Sequence, residues 1–153
     1  MGYTHYFYRP ETLDPEKFKA ASEDCKKLTI SLNIPVQFEC DDPEPPIFNE
    51  LAIRFNGVND DGHETFLVEQ KFIPHYYRQE KNGKLFAFCK TARKPYDTAV
   101  TACLIILKHH FGDDFVVTSD GYTEEWQDGL NACIEYLGYG KIPFEKQRKS
   151  NGY

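Results

Sequence analysis

The residues best placed to do chemistry run Phe86-Ala87-Phe88-Cys89-Lys90-Thr91-Ala92-Arg93-Lys94-Pro95-Tyr96-Asp97. Alternating Phe86 and Phe88 mark a strand, and Lys90, Thr91, Arg93 and Lys94 form a short cationic connection into a helix. A helix start carries unpaired N–H groups and the positive end of the dipole. A hydroxyl, a planar guanidinium and two ammonium groups placed there suit a phosphate, sulfate or carboxylate. His5 and Tyr6, in the aromatic N-terminal run, complete such a pocket if the first strand lies beside residues 85–90. The competing reading is that Lys90, Arg93 and Lys94 balance acidic loops while Asp97 caps its helix, the more common fate of charge on loops.

A second constellation is Asp60-Asp61-Gly62-His63-Glu64, with Glu69-Gln70-Lys71 at the end of the following strand. Asp61, His63 and Glu64 could hold a divalent cation. Asp61, His63 and Glu69, with Lys71 steadying developing charge, would then make a metal-assisted phosphodiester hydrolase. Against this, Asn-Asp-Asp-Gly is ordinary turn chemistry. His109 and His110 point about 100° apart on a helix, so they read as partners of the helix dipole rather than as a chelate. Tyr6, Tyr8, Tyr76 and Tyr77 could form a stacking wall for a base, although aromatic residues in a sheet more often belong to its core.

These residues need elements to position them. Thr4, Tyr6 and Tyr8 alternate with Tyr3, His5 and Phe7, as in an interior strand buried on both sides. Asp14-Pro15 starts a helix whose apolar face is Phe18, Ala21, Cys25, Leu28 and Leu32, and Pro35 prevents its continuation. Short strands follow at 36–39, 51–56 and 65–68, the last two forming a hairpin. Residues 71–81 read as a loop, and a turn at Asn82-Gly83 leads into a strand over 85–90. A nearly all-apolar helix spans 96–111, a strand covers 115–118, and Thr123 caps a third helix with Trp126, Leu130, Cys133 and Leu137 on its buried face. The order β-α-β-β-β-β-α-β-α, with short connections between strands, predicts one α+β domain over residues 1–140. Its sheet is mainly antiparallel, with about three helices packed on it, and a basic, flexible tail follows over 141–153.

The chain has 153 residues and a formal charge of −6, long enough to bury a single core. That charge is unevenly spread. Residues 39–69 carry −8, residues 71–94 carry +6 and residues 113–135 carry −7. Overall repulsion disfavours extended nucleic-acid binding, while a local anion site around 71–94 remains open. Five scattered cysteines with no CxxC pair read as reduced, mostly buried thiols. The N-terminus lacks an apolar signal segment, and no apolar run is long enough for a bilayer, so a cytoplasmic protein with no membrane partner is expected.

The start Met1-Gly2-Tyr3-Thr4-His5-Tyr6, the pair Arg54-Phe55-Asn56-Gly57 and Gly62-His63-Glu64-Thr65-Phe66, and above all Phe88 to Asp97 resemble a family of small proteins in fungi, bacteria and bacteriophages with no assigned activity. The likeness extends over about residues 1–140. It implies a single cytoplasmic domain and transfers no catalytic residue.

The expectation from sequence is therefore a non-catalytic binding module. Its ligand would be a phosphorylated or otherwise anionic small molecule or partner, held by Lys90, Thr91, Arg93, Lys94, Asp97, His5 and Tyr6, with no cofactor. The alternatives are the hydrolase, which alone needs a divalent metal, and a protein-interaction domain or homo-oligomer.

Overall fold

A computed structural model describes residues 2–73 and 80–148. Its elements are β1 (Thr4–Arg9), α1 (Pro15–Leu32), β2 (Val36–Gln37), β3 (Ile47–Phe48), β4 (Ala52–Gly57), β5 (Phe66–Glu69), β6 (Glu80–Lys81), β7 (Lys84–Lys90), α2 (Asp97–Phe111), β8 (Val116–Ser119) and α3 (Gln127–Leu137). The α+β class with three helices and antiparallel pairing is as expected. The two-residue strands β3 and β6 add to the predicted order, being too short to leave an alternation signal.

Two antiparallel sheets form. One has the order β6-β7-β1-β8, and in the other β4 is flanked by β2, β3 and β5. In the first, Tyr6 lies opposite Phe88 and Tyr8 opposite Phe86 across β1 and β7, while Tyr6 faces Thr118 across β1 and β8. Phe7 and Cys89 from the first sheet and Ile53, Phe55, Phe66 and Val68 from the second join one core with the helices. Helix α2 is central, packed between α1 and α3. Every residue from Ala99 to Leu107 is buried, which is why its sequence is apolar around the whole circumference.

Helix α1 begins as read. Asp14 accepts a hydrogen bond from the Lys17 N–H at 3.0 Å, Pro15 fills the first position, and Asn33 ends the helix in a left-handed conformation. The third helix is entered differently: Thr123–Trp126 is a 3₁₀ turn, and α3 proper starts at Gln127. The expected flexible tail is tied down as far as Arg148. Lys146 N–H donates to Thr123 Oγ1 at 2.8 Å, Phe144 meets the Trp126 ring edge-on at 5.0 Å, and Arg148 pairs with Glu124 at 2.8 Å.

Arg9 joins the two sheets. It is 1% exposed, and its guanidinium donates to the carbonyls of Pro10, Glu11, Glu69 and Gln70. Burial pulls its pKa down to about 10, against the opposing field of Glu69. Among the described residues no helix is long and apolar enough to cross a membrane.

Candidate functional site

The strand-to-helix connection is closed upon itself. The N–H groups of Thr91 and Ala92 both donate to the Tyr3 carbonyl, at 3.1 and 3.2 Å, and the Lys94 N–H donates to the Thr91 carbonyl at 3.0 Å. This turn places Ala92 and Arg93 at φ 52° and 57°, a left-handed pair that costs side-chain-bearing residues about 1–2 kcal/mol each. The bonds around the turn hold it there.

The anion at the start of α2 is Asp97 itself. Its Oδ1 accepts from Thr91 Oγ1 at 2.6 Å and from His5 Nε2 at 2.6 Å. The other ring nitrogen of His5, Nδ1, lies in hydrogen-bond contact with Ser119 Oγ at 2.7 Å. Ser119 Oγ in turn accepts the Gly121 N–H at 2.9 Å. His5 is 0% exposed, wedged edge-on between Tyr3 and Trp126 at ring distances of 5.1 and 5.0 Å.

The row Ser119–His5–Asp97 has the composition of a nucleophile, base and carboxylate. Ser119 is nevertheless buried, its oxygen is already engaged on both sides, and it lines neither the cleft of about 600 Å³ nor that of about 280 Å³. We read the row as a latch binding β1, β8 and the start of α2. Both ring nitrogens of His5, the Thr91 hydroxyl and Asp97 Oδ1, expected at a ligand, are engaged within this row.

Arg93 is likewise engaged. Its guanidinium lies 4.0 Å over the Tyr3 ring and its Nη2 donates to Glu125 Oε2 at 2.9 Å. Burial pushes the Glu125 carboxyl up, but the Arg93 hydrogen bond, the Tyr122 N–H and the charges of Arg93 and Arg148 outweigh it and hold it below its ordinary range. Burial, with the fields of Asp97 and Glu125 adding to it, pushes the Tyr3 hydroxyl far up. Lys90 and Lys94 differ: among the described residues neither ammonium meets a carboxylate.

The acidic turn does not assemble a metal site. Among the described residues no three His, Cys, Asp or Glu side chains converge as ligands. Asp61 lies in a 3₁₀ turn beyond the Gly57 end of β4, whereas Glu69 pairs with Ala52 at its other end. The length of β5, about 10 Å, therefore separates them. Glu64 turns its carboxylate to the Lys90 N–H at 2.8 Å, and Lys71 bridges to Thr12. His63 is exposed, and its backbone is held by Asn56, whose side chain also bonds Gly57 and Thr65. Buried Asn56 organises this loop as a structural turn. The residues required for the hydrolase do not come together.

His110 pairs with Asp24 at 2.9 Å and His109 stacks on Tyr139 at 3.8 Å, so the two histidines tie the end of α2 to the middle of α1 and to the segment after α3. All five cysteines are free thiols, and Cys40 alone of them is not buried.

Among the described residues, the outer face of the first sheet is left partly exposed. Strand β1 is not buried on both sides. Tyr3, His5 and Phe7 face the helices, while Tyr6 and Tyr8 are half-exposed on the far side. His5 and Tyr6 thus point to opposite faces and cannot line one pocket. With Tyr6 and Tyr8 lie Phe86 and Phe88 of β7, and Phe88 is 47% exposed. Phe86 is central to the group, with ring centroids 6.0 Å from Tyr6, 5.1 Å from Tyr8 and 5.8 Å from Phe88. The Tyr6 hydroxyl donates to Asp120 at 2.9 Å.

Strand alternation puts Lys84 and Lys90 on this same face. Lys81, paired with Lys84, reaches over Tyr8 at 5.9 Å. The cleft of about 600 Å³ adjoins the face and is lined by residues including Phe86, Phe88, Leu67 and Arg54. Tyr76 and Tyr77, expected in the stacking wall, lie outside the described residues. The sequence signal for Phe86 and Phe88 was their alternation with Ala87 and Cys89. Nothing local marked Ser119, 114 residues from His5, or Asn56 and Arg9.

Among known proteins, no family model, no curated protein and no solved structure matches this chain.

Proposed function

We propose that this protein is a non-catalytic binding module for a phosphorylated small molecule carrying a planar ring, held on the outer face of the β6-β7-β1-β8 sheet. The observation that carries the reading is the aromatic group of exposed Phe88 with half-buried Tyr6, Tyr8 and Phe86, bordered by Lys81, Lys84 and Lys90. Helices cover the opposite face of this sheet. Soluble proteins rarely leave contiguous aromatic surface open without use. Rings offered flat on a sheet stack nucleobases, and ammonium groups at the margin attract phosphate. Lys90 is the residue kept from the cationic connection. Thr91, Asp97 and His5 support the sheet from behind, and Arg93 braces Tyr3.

The test is a thermal-shift series with adenosine 5′-monophosphate, adenosine and inorganic phosphate. The monophosphate is expected to raise the unfolding midpoint more than either fragment, and Phe88→Ala is expected to abolish the rise. Absence of stabilisation by the monophosphate, or a rise that Phe88→Ala leaves intact, would refute the proposal.

A further inference from the structure

We infer, resting on the reading of the aromatic face as the ligand site, that its ligand is a dinucleotide: two nucleobases joined through phosphate. The β1–β7 register sets the aromatic residues out as two cross-strand pairs, Tyr6 opposite Phe88 and Tyr8 opposite Phe86. Residues two apart on one strand face the same way about 6.6 Å along it. The face therefore offers an aromatic surface two residue pairs long, continuous through the Phe86 ring, an extent that suits two splayed, linked bases rather than one.

Cations stand at both ends of this row. Lys90 lies beyond the Tyr6–Phe88 pair, opposite Thr4, and Lys84 with Lys81 lies beyond the Tyr8–Phe86 pair. Lys84 and Lys90 are about 20 Å apart along β7. A mononucleotide can cover one pair and bring one phosphate, whereas pApA spans both pairs and brings two, a terminal one for the cation at one end and a linking one between the bases. Asp120 stands at the Tyr6 edge, its carboxylate accepting from the Tyr6 hydroxyl and the Thr4 N–H at 2.9 and 3.1 Å, and its charge turns phosphate away from that edge toward the lysines of β7. The positive region is local within a chain of net charge −6. A short anion is thus admitted, while a long strand would meet the acidic remainder.

Isothermal titration of the full chain with adenosine 5′-monophosphate, the dinucleotide pApA and an eight-residue oligoadenylate tests this. For the wild type, pApA is expected to bind at least about tenfold more tightly than the monophosphate, a difference of about 1.4 kcal/mol. The octamer is expected to gain nothing further. Tyr8→Ala should cost pApA more affinity than it costs the monophosphate, bringing the two close together, and Phe88→Ala should weaken both. Both substitutions lie on the outer face, and their unfolding midpoints verify that each variant is folded. Equal wild-type affinities for pApA and the monophosphate would overturn the dinucleotide and leave the aromatic-face reading standing. Failure of every nucleotide to bind would overturn both. An octamer tenfold tighter than pApA would make the ligand a single strand instead.

Discussion

Replacing Asp97 with Ala separates the supporting latch from the binding face. The substitution removes one oxygen that accepts from both Thr91 Oγ1 and His5 Nε2 at 2.6 Å. Thr91 and His5 are each 0% exposed, so neither donor can turn to water. A buried donor left unpaired costs about 1–3 kcal/mol, giving about 2–6 for the two. Loss of a carboxylate from the first turn of α2 adds about 0.3–1 kcal/mol, partly offset by the better helix propensity of Ala. The expected destabilisation is about 3–6 kcal/mol. For a domain of this size each kcal/mol lowers the unfolding midpoint by about 2–4 °C, so a fall on the order of 10 °C is expected. Urea unfolding followed by Trp126 fluorescence and by circular dichroism measures it. Asp97→Asn keeps an acceptor oxygen and should cost less than half as much. Below the lowered midpoint, Asp97→Ala should retain the nucleotide affinity that Phe88→Ala loses. A loss of stability under about 1 kcal/mol, or an Asn variant as damaged as the Ala one, would show that the buried donors are not what Asp97 serves.

Two further perturbations probe the same region. Glu125 is held below the usual 4.5 in the fold, so its ionised form stabilises the native state above that value, and the contribution disappears as pH falls through the folded pKa. The stability gap between wild type and Glu125→Gln should therefore be widest at neutral pH and close in acid; a gap independent of pH contradicts the pairing with Arg93. A Cβ at Gly121 would stand 2.2 Å from the Tyr3 hydroxyl oxygen, so Gly121→Ala should destabilise by about 1–3 kcal/mol. Tyr3→Phe in the same chain should recover part of that loss, and purely additive losses in a double-mutant cycle would exclude the clash.

Much of the fold was legible because local rules and tertiary packing agreed. Asp14-Pro15 opens α1, the apolar sequence of 99–107 makes a buried helix, and Asn82-Gly83 turns the chain between β6 and β7. Period-two alternation also divided β1 correctly into Tyr3, His5 and Phe7 on one face and Tyr6 and Tyr8 on the other. It could not say which face the helices would cover, because aromatic residues suit a core and a stacking surface equally well. Nor could the cationic stretch 90–94 reveal that its own Asp97 and the distant His5 and Glu125 would satisfy it.

Sequence alone determined the element types, the faces of each strand and the uneven distribution of charge, since these follow from neighbours a few residues apart. Tertiary structure decided what each charge and ring is for. Pairing β1 between β7 and β8 buried His5 against Ser119 and Asp97, and it left Tyr6, Tyr8, Phe86 and Phe88 together on the outer face. That choice depends on burial and on hydrogen bonds between residues about a hundred positions apart, where the energy of leaving a donor unpaired is set by the whole fold and by no local pattern.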